Sequence, residues 1–236
     1  MNRLLYLENC VSTQDEIINL INEDETTAVF TFNQTKGRGQ YGNEWRMLTH
    51  QNLAYSVAVK AGNFNISHTS LNYYTAVIIR DFLANMAHAD VKIKWPNDII
   101  INGKKVCGFI IEKQKVKDTD YLIIGIGINI LQTDFSQLPK AGSVFSTTGK
   151  SYDLVEFTEK FHNYLSTEIS KTPSEDIILT RYNSLLFRKD EIAVFSKDNI
   201  RQNGIILNAD AEGFLWIDLE KDGVKKFVHK EIEMLY

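Results

Sequence analysis

The residues best suited to chemistry in this chain lie in one glycine-rich stretch, Gln34-Thr35-Lys36-Gly37-Arg38-Gly39-Gln40-Tyr41-Gly42-Asn43-Glu44-Trp45, which holds three of the 13 glycines. Glycines at alternate positions let backbone N–H groups turn toward an anion, and the Arg38 guanidinium adds fixed charge and a bidentate fork. The stretch reads as a cradle for a phosphate or carboxylate; the competing reading is a plain surface loop. It is not a Walker loop, because no Gly-Lys-Ser/Thr follows, and not a Rossmann turn, because no helix follows. Ser12 and Thr13 form a hydroxyl pair before an apolar run, which suits a helix cap or a ligand contact. The run Lys94-Trp95-Pro96-Asn97-Asp98 concentrates two charges and an amide around a proline, and by itself reads as a turn.

These groups need elements to hold them. Residues 27–32 and 52–59 have the β-branched, aromatic and alternating character of strands, so the glycine-rich stretch joins two strands. Residues 3–7 read as an opening strand, and Asp15 and Glu16 suit the first turn of a helix starting at Ser12. Leu71, Tyr74, Ile78, Phe82 and Met86 form a core-facing helical stripe. Residues 91–94 alternate as a strand that the proline ends, residues 99–101 resume it, and Asn102-Gly103 predicts a hairpin into a strand over 105–112. Residues 121–130 predict a buried strand whose Gly125 and Gly127 mark close approach by a ligand or another backbone. Residues 143–151 read as a turn. Helices follow, one over 154–169 with Phe157, Phe161 and Leu165 inside, the next with Ile177, Ile178, Tyr182 and Leu185 inside.

After Arg188 four short strands separated by turn residues predict a small β-barrel. The division expected is therefore residues 1–187 and 188–236. A 44% apolar content supports a real core, two cysteines exclude a disulfide framework, and a net charge of −4 does not suggest a nucleic-acid binder. No apolar run reaches the ~20 residues that span a bilayer, and the N-terminus lacks a signal h-region, so a cytoplasmic protein without a membrane partner is expected.

In order and spacing, Ser12-Thr13-Gln14, Gly37-Arg38-Gly39 with Trp45, Lys94-Trp95-Pro96-Asn97-Asp98, and Lys105…Gly108…Glu112 leading to Gly125-Ile126-Gly127-Ile128-Asn129 closely resemble the biotin–protein ligases. The resemblance runs from Glu8 to the C-terminal strands. It implies an α/β fold, a mixed sheet with flanking helices related to class II aminoacyl-tRNA synthetases, followed by an SH3-like barrel. It implies a reaction in which biotin and ATP, with Mg²⁺, give biotinyl-5′-AMP, and biotin then passes to a lysine of a carboxylase carrier domain. By the same resemblance Ser12, Thr13, Gln34, Gly37, Arg38, Lys105 and Gly108 would bind biotin, and Gln40, Trp45, Lys94, Asn97 and Asn129 the nucleotide. Lys105, Arg38 and Asp98 would act in catalysis, Asp98 on the incoming lysine, with Glu112 near the metal. A monomer or weak homodimer is expected.

The chain departs from the family pattern at three places. Gln40 and Asn43 stand where many members carry cations, which lowers the positive charge of the glycine-rich stretch. Gln14 replaces an asparagine with the same functional groups. The rivals are a lipoate or octanoate ligase on the same fold, which would lack the Lys94–Asp98 run, and a biotin-sensing transcriptional repressor. The motifs begin at Ser12, so no DNA partner is expected. A non-catalytic binding module would not need the full set of charged positions.

Overall fold

The computed structural model describes residues 2–236. Strand β1 (Asn2–Tyr6) runs parallel to β2 (Thr26–Thr31), and between them lie the single-turn helix α1 (Thr13–Glu16) and a 3₁₀ turn, Ile17–Asn19. A small hairpin of β3 (Gly37–Arg38) and β4 (Glu44–Trp45) precedes β5 (Asn52–Lys60). Helix α2 (His68–Ala87) leads to β6 (Val91–Lys94), β7 (Asp98–Ile101), β8 (Lys104–Val116) and β9 (Thr119–Asn129). The main sheet has the order β1-β2-β5-β9-β8-β7-β6 and is antiparallel except at β1–β2.

The residues of each strand alternate between two environments. Leu122, Ile124, Ile126 and Ile128 of β9 join a large core with helix α2 and helix α4 (Leu154–Ile169), whereas Ile123 joins a smaller cluster with Ile17, Val29 and Ala58. The two-residue period of a strand therefore puts Gly125 and Gly127 on the face away from α2 and α4. That face carries the site.

The sequence reading needs several corrections. The stripe read on α2 is too narrow: Tyr73, Val77, Ile79 and Leu83 are as buried as Leu71 and Ile78, because α2 is enclosed by the sheet, α4 and helix α5 (Glu175–Ser184). Ile177, read as inside, is 58% exposed, while Ile178 and Tyr182 are buried. The turn-like 143–151 contains a short helix α3 (Val144–Thr148) with a Ser143–Ser146 capping box. Strands 91–94 and 99–101 are not one interrupted strand. The chain doubles back through a cis Trp95–Pro96 peptide, so that Lys94 pairs with Asp98.

The C-terminal part has five strands where four were read: β10 (Ile192–Lys197), β11 (Ile200–Ala209), β12 (Leu215–Leu219), β13 (Gly223–Phe227) and β14 (Glu233–Leu235). Their order is β13-β12-β11-β10-β14, and the two edge strands do not pair with each other, so no closed barrel forms. Phe195, Ile217 and Phe227 belong to the same apolar core as α2 and α5. Polar ties reinforce it, including Tyr73 Oη to the Asp210 carbonyl (3.1 Å) and Asn183 Nδ2 to the Ala209 carbonyl (2.9 Å). Among the described residues no helix is long and apolar enough to cross a membrane.

Candidate active site

One row of paired residues crosses five strands: Ala54 of β5 faces Gly127 of β9, which faces Gly108 of β8, then Asp98 of β7 and Lys94 of β6. Small residues leave a floor without side chains at one end of the row, and charges stand at the other. Side chains fill the space the glycines leave. A Cβ on Gly127 would sit 2.2 Å from Trp45 Cε2, and one on Gly125 would sit 2.0 Å from Gln14 Oε1. The close approach that these glycines signal is thus made by protein side chains, not by another backbone.

At one end of the site α1 delivers hydroxyl and amide groups. Ser12 is the N-cap of α1 but its side chain does not cap. Thr13 donates its backbone N–H (2.8 Å) and its hydroxyl (3.3 Å) to Gln34 Oε1, and Ser56 Oγ donates to Thr13 Oγ1 (2.9 Å). Ser12, Thr13 and Gln14 are all buried. The Gln14 amide nitrogen, the Gln40 side-chain oxygen and the Trp45 indole N–H are buried without a hydrogen-bond partner. A buried polar atom left unmatched costs roughly 1–3 kcal/mol, and such atoms gathered around one cavity suit a ligand that would match them.

The other end is electrostatic. Lys105 Nζ lies 2.6 Å from Asp98 Oδ1, and Lys94 Nζ lies 3.6 Å from Asp98 Oδ2. Lys105 Nζ also lies 5.7 Å from the Trp45 ring centroid. Arg38 bridges Asp15 (2.8 Å) and Glu112 (3.1 Å), which ties the β3–β4 hairpin to both α1 and β8. The C-terminal sheet completes this wall through His229 and Lys230, which follow β13. The His229 ring meets Trp95 edge-on at 5.8 Å. Burial, then the charges of Lys94, Lys230 and Lys105, push its pKa below the ordinary histidine value against the pull of Asp98. Cys107 is fully buried and desolvation raises its thiol pKa, which leaves it a packing residue.

These groups line one cavity of about 300 Å³. It brings together Ser12, Thr13, Gln34, Arg38, Gln40 and Trp45 with Lys94, Asn97, Asp98, Lys105 and Gly108. Gly37 and Glu112 line an adjoining cavity under the hairpin instead. Asn129 lies at the end of β9 and gives its amide to the Gly142 carbonyl (3.0 Å), and its side-chain oxygen is buried without a partner. Asn97 donates to the Phe109 carbonyl, a strut between the Trp95–Pro96 turn and β8. Among the described residues no group of three or more His, Cys, Asp or Glu could hold a metal, and Asp98 and Glu112 are each paired with cations. Sequence reasoning missed Ser56, a polar residue on the site face of an apolar strand and so visible in principle. It also missed His229 and Lys230, which no local pattern marks.

A family model described as the biotin/lipoate A/B protein ligase family matches residues 8–129. The bifunctional ligase/repressor BirA of Bacillus spizizenii is 29% identical over 98% of this chain and 74% of its own length. The biotin–[acetyl-CoA-carboxylase] ligase of Paracoccus denitrificans is 29% identical over 53% of this chain and 55% of its own. A structure of the Aquifex aeolicus biotin protein ligase in complex with biotin and ATP superposes with a TM-score of 0.79, 24% identity, and coverage of 99% of this chain and 98% of that one.

Proposed function

The chain belongs to the biotin/lipoate A/B protein ligase family, and on that premise we propose that it joins biotin to ATP and passes the biotinyl group to a lysine of a carboxylase carrier domain. The observation that carries this reading is the single cavity with buried hydroxyl and amide groups at one end and paired cations at the other. Ser12, Thr13 and Gln34 suit the polar ring of biotin. Lys105 and Arg38 suit its carboxylate and the α-phosphate of ATP. A carboxylate attacking a phosphate must overcome anion–anion repulsion, so preorganised positive charge and alignment supply most of the rate.

A carboxylate oxygen bonds to the α-phosphorus and pyrophosphate leaves with the electron pair of the broken P–O bond. Trp45, held over Gly127 and Gly108, offers the purine a ring face, with Gln40 beside it. In the second step the carrier amine attacks the acyl carbon and AMP departs. Asp98, which meets Lys105 through Oδ1 and Lys94 through Oδ2, is the carboxylate that would orient the incoming lysine and take the proton it must lose before it attacks. Mg²⁺ would arrive on the triphosphate and supply charge neutralisation there, because the described residues form no protein cage for it.

Incubation with biotin, ATP, Mg²⁺ and a carboxylase carrier domain should add the mass of one biotinyl group to the carrier lysine. No addition with biotin, or addition with lipoate in its place, would overturn this reading.

A further inference from the structure

We propose that Tyr182 of α5, assisted by Asn72 of α2, is a positioning residue for the transfer step: both hold the Pro96 carbonyl, and through it they set where Asp98 meets Lys105. The inference rests on the function proposed above. Lys94 and Asp98 are register partners at the ends of β6 and β7, and only Trp95, Pro96 and Asn97 join them. Proline has no N–H, so the backbone at residue 96 can be hydrogen-bonded only through its carbonyl. That carbonyl accepts from Asn72 Nδ2 and from Tyr182 Oη, each at 3.0 Å, which uses both of its lone pairs. On the other side of the turn Asn97 donates to the Phe109 carbonyl. The turn is thus pinned between two helices and β8, two residues from the carboxylate that meets Lys105 at 2.6 Å.

The Tyr182 ring is fully buried and stacks on Tyr73, with centroids 4.0 Å apart and planes at 24°. Tyr73 is anchored in turn by its own hydroxyl on the Asp210 carbonyl. A phenylalanine would serve that packing; the phenol oxygen adds a polar atom to the core, and the group it meets is the Pro96 carbonyl. Burial, then Tyr73 and the charge of Asp98, raise its pKa well above the ordinary tyrosine value, so the oxygen keeps its proton and stays a donor. Asp98 is the first residue of β7, at the end of its ladder, so the turn fixes it from the open side. Its two oxygens must meet Lys105 and Lys94 and also serve an incoming amine. A misplacement of about 1 Å in such a group can cost ~100-fold in rate.

Tyr182→Phe removes the oxygen and keeps the stacked ring. In single-turnover transfer from preformed biotinyl-5′-AMP to a carrier domain, the maximal rate should fall about tenfold, with the carrier KM and the biotin affinity unchanged. In an Asp98→Asn background the same substitution should cost less than about twofold, because the group it positions is already gone. Asn72→Leu removes the second donor from a half-buried helix position. It should slow transfer about threefold in the parent and hardly at all beside Asp98→Asn, and it carries the test should Tyr182→Phe fail to fold. A readout free of turnover is the exchange of the Lys105 ammonium protons with water, followed by nitrogen–proton NMR, which should quicken in Tyr182→Phe as the pair with Asp98 loosens. An unchanged transfer rate in Tyr182→Phe would overturn the proposal. So would equal losses with and without Asp98→Asn, the result a merely structural role gives. Absence of any transfer by the parent protein would instead sink the reading of function, and unchanged Lys105 exchange in Tyr182→Phe would then overturn the positioning role on its own.

Discussion

The two faces of the main sheet are built from alternate residues of the same strands, yet they obey opposite rules. Toward α2 and α4, β5 and β9 present Tyr55, Val57, Ile124 and Ile126, packed among Phe82, Phe157 and Phe161. A polar pair is buried there too: Tyr55 Oη and His162 Nδ1 lie 2.8 Å apart, inside a cluster of edge-to-face rings. Toward the site the same strands present Ala54, Ser56, Gly125 and Gly127. Above them lie side chains with unmatched polar atoms and paired ions. One face is dense and apolar and holds the fold together. The other trades density for a cavity and leaves hydrogen-bonding capacity for a ligand. Register couples them, since a one-residue slip would exchange glycine for isoleucine on the site floor.

The comparison predicts that damage to the two faces separates cleanly. Phe161 is fully buried, with ring centroids 5.3 Å from Tyr55 and 5.1 Å from Phe82. Phe161→Ala should destabilise the protein by about 3–5 kcal/mol in urea unfolding. The fraction still folded should keep its adenylation rate. A loss under about 1 kcal/mol would mean that the helix face does not carry the stability assigned to it. Lys105→Ala should do the reverse. Removing a preorganised charge from such a site costs about 2.7–4 kcal/mol of transition-state stabilisation, a fall of at least ~100-fold in adenylate formation. The melting temperature should barely move, because the Lys105–Asp98 pair is partly exposed. Near-normal pyrophosphate release would place the decisive charge elsewhere.

The same contrast explains how much was legible in the sequence. Strands and helices with one apolar face are written in local periodicity, and β2, β5, α4 and the Asn102-Gly103 hairpin followed from it. The cavity-lining residues on short motifs stood out because their polar groups are concentrated, although Lys94 to Asp98 by itself reads as a turn. What stayed hidden depends on contacts distant in sequence. The burial of both sides of α2 depends on α4 and α5, Ile177 is exposed because only one side of α5 packs, and the open C-terminal sheet depends on which edges meet. His229 and Lys230 reach the site through tertiary packing alone. The glycine signal in 125–127 was readable as a gap, but its occupants, Gln14 and Trp45, come from more than 80 residues away.

Gly127→Ala tests the contact between floor and hairpin. The added Cβ would meet the Trp45 ring at 2.2 Å, and the floor is rigid sheet, so the hairpin must give way. Adenylate formation should fall about tenfold, by displacement of Trp45 and Lys105 from their mutual geometry. Urea stability should change by less than about 1 kcal/mol, since β3 and β4 pair only with each other. A large stability loss with intact activity would show that the hairpin belongs to the fold rather than to the site.

The smallest effect expected concerns Gln40, a neutral side chain on the glycine-rich hairpin. Gln40 is half-buried and lines both the main cavity and the one beneath the hairpin. Its side-chain oxygen has no partner, so the amide is not fixed to a protein acceptor or donor on that side. Gln40→Arg would add a guanidinium to the cavity that Lys94 and Lys105 also line, where the proposed function puts the phosphate of the adenylate. A partly exposed charge pair contributes about 0.2–1 kcal/mol, so release of biotinyl-5′-AMP should slow by roughly 1.5- to 5-fold. The new cation also shares the cavity with Lys105, and that repulsion opposes the gain until the phosphate is present. The variant should therefore change the off-rate of the adenylate more than the affinity for biotin alone. A chase of bound adenylate with excess unlabelled ligand reads the rate directly. Unchanged or faster release would mean that the charge of Lys94 and Lys105 already saturates the phosphate, and that the hairpin acts through shape alone.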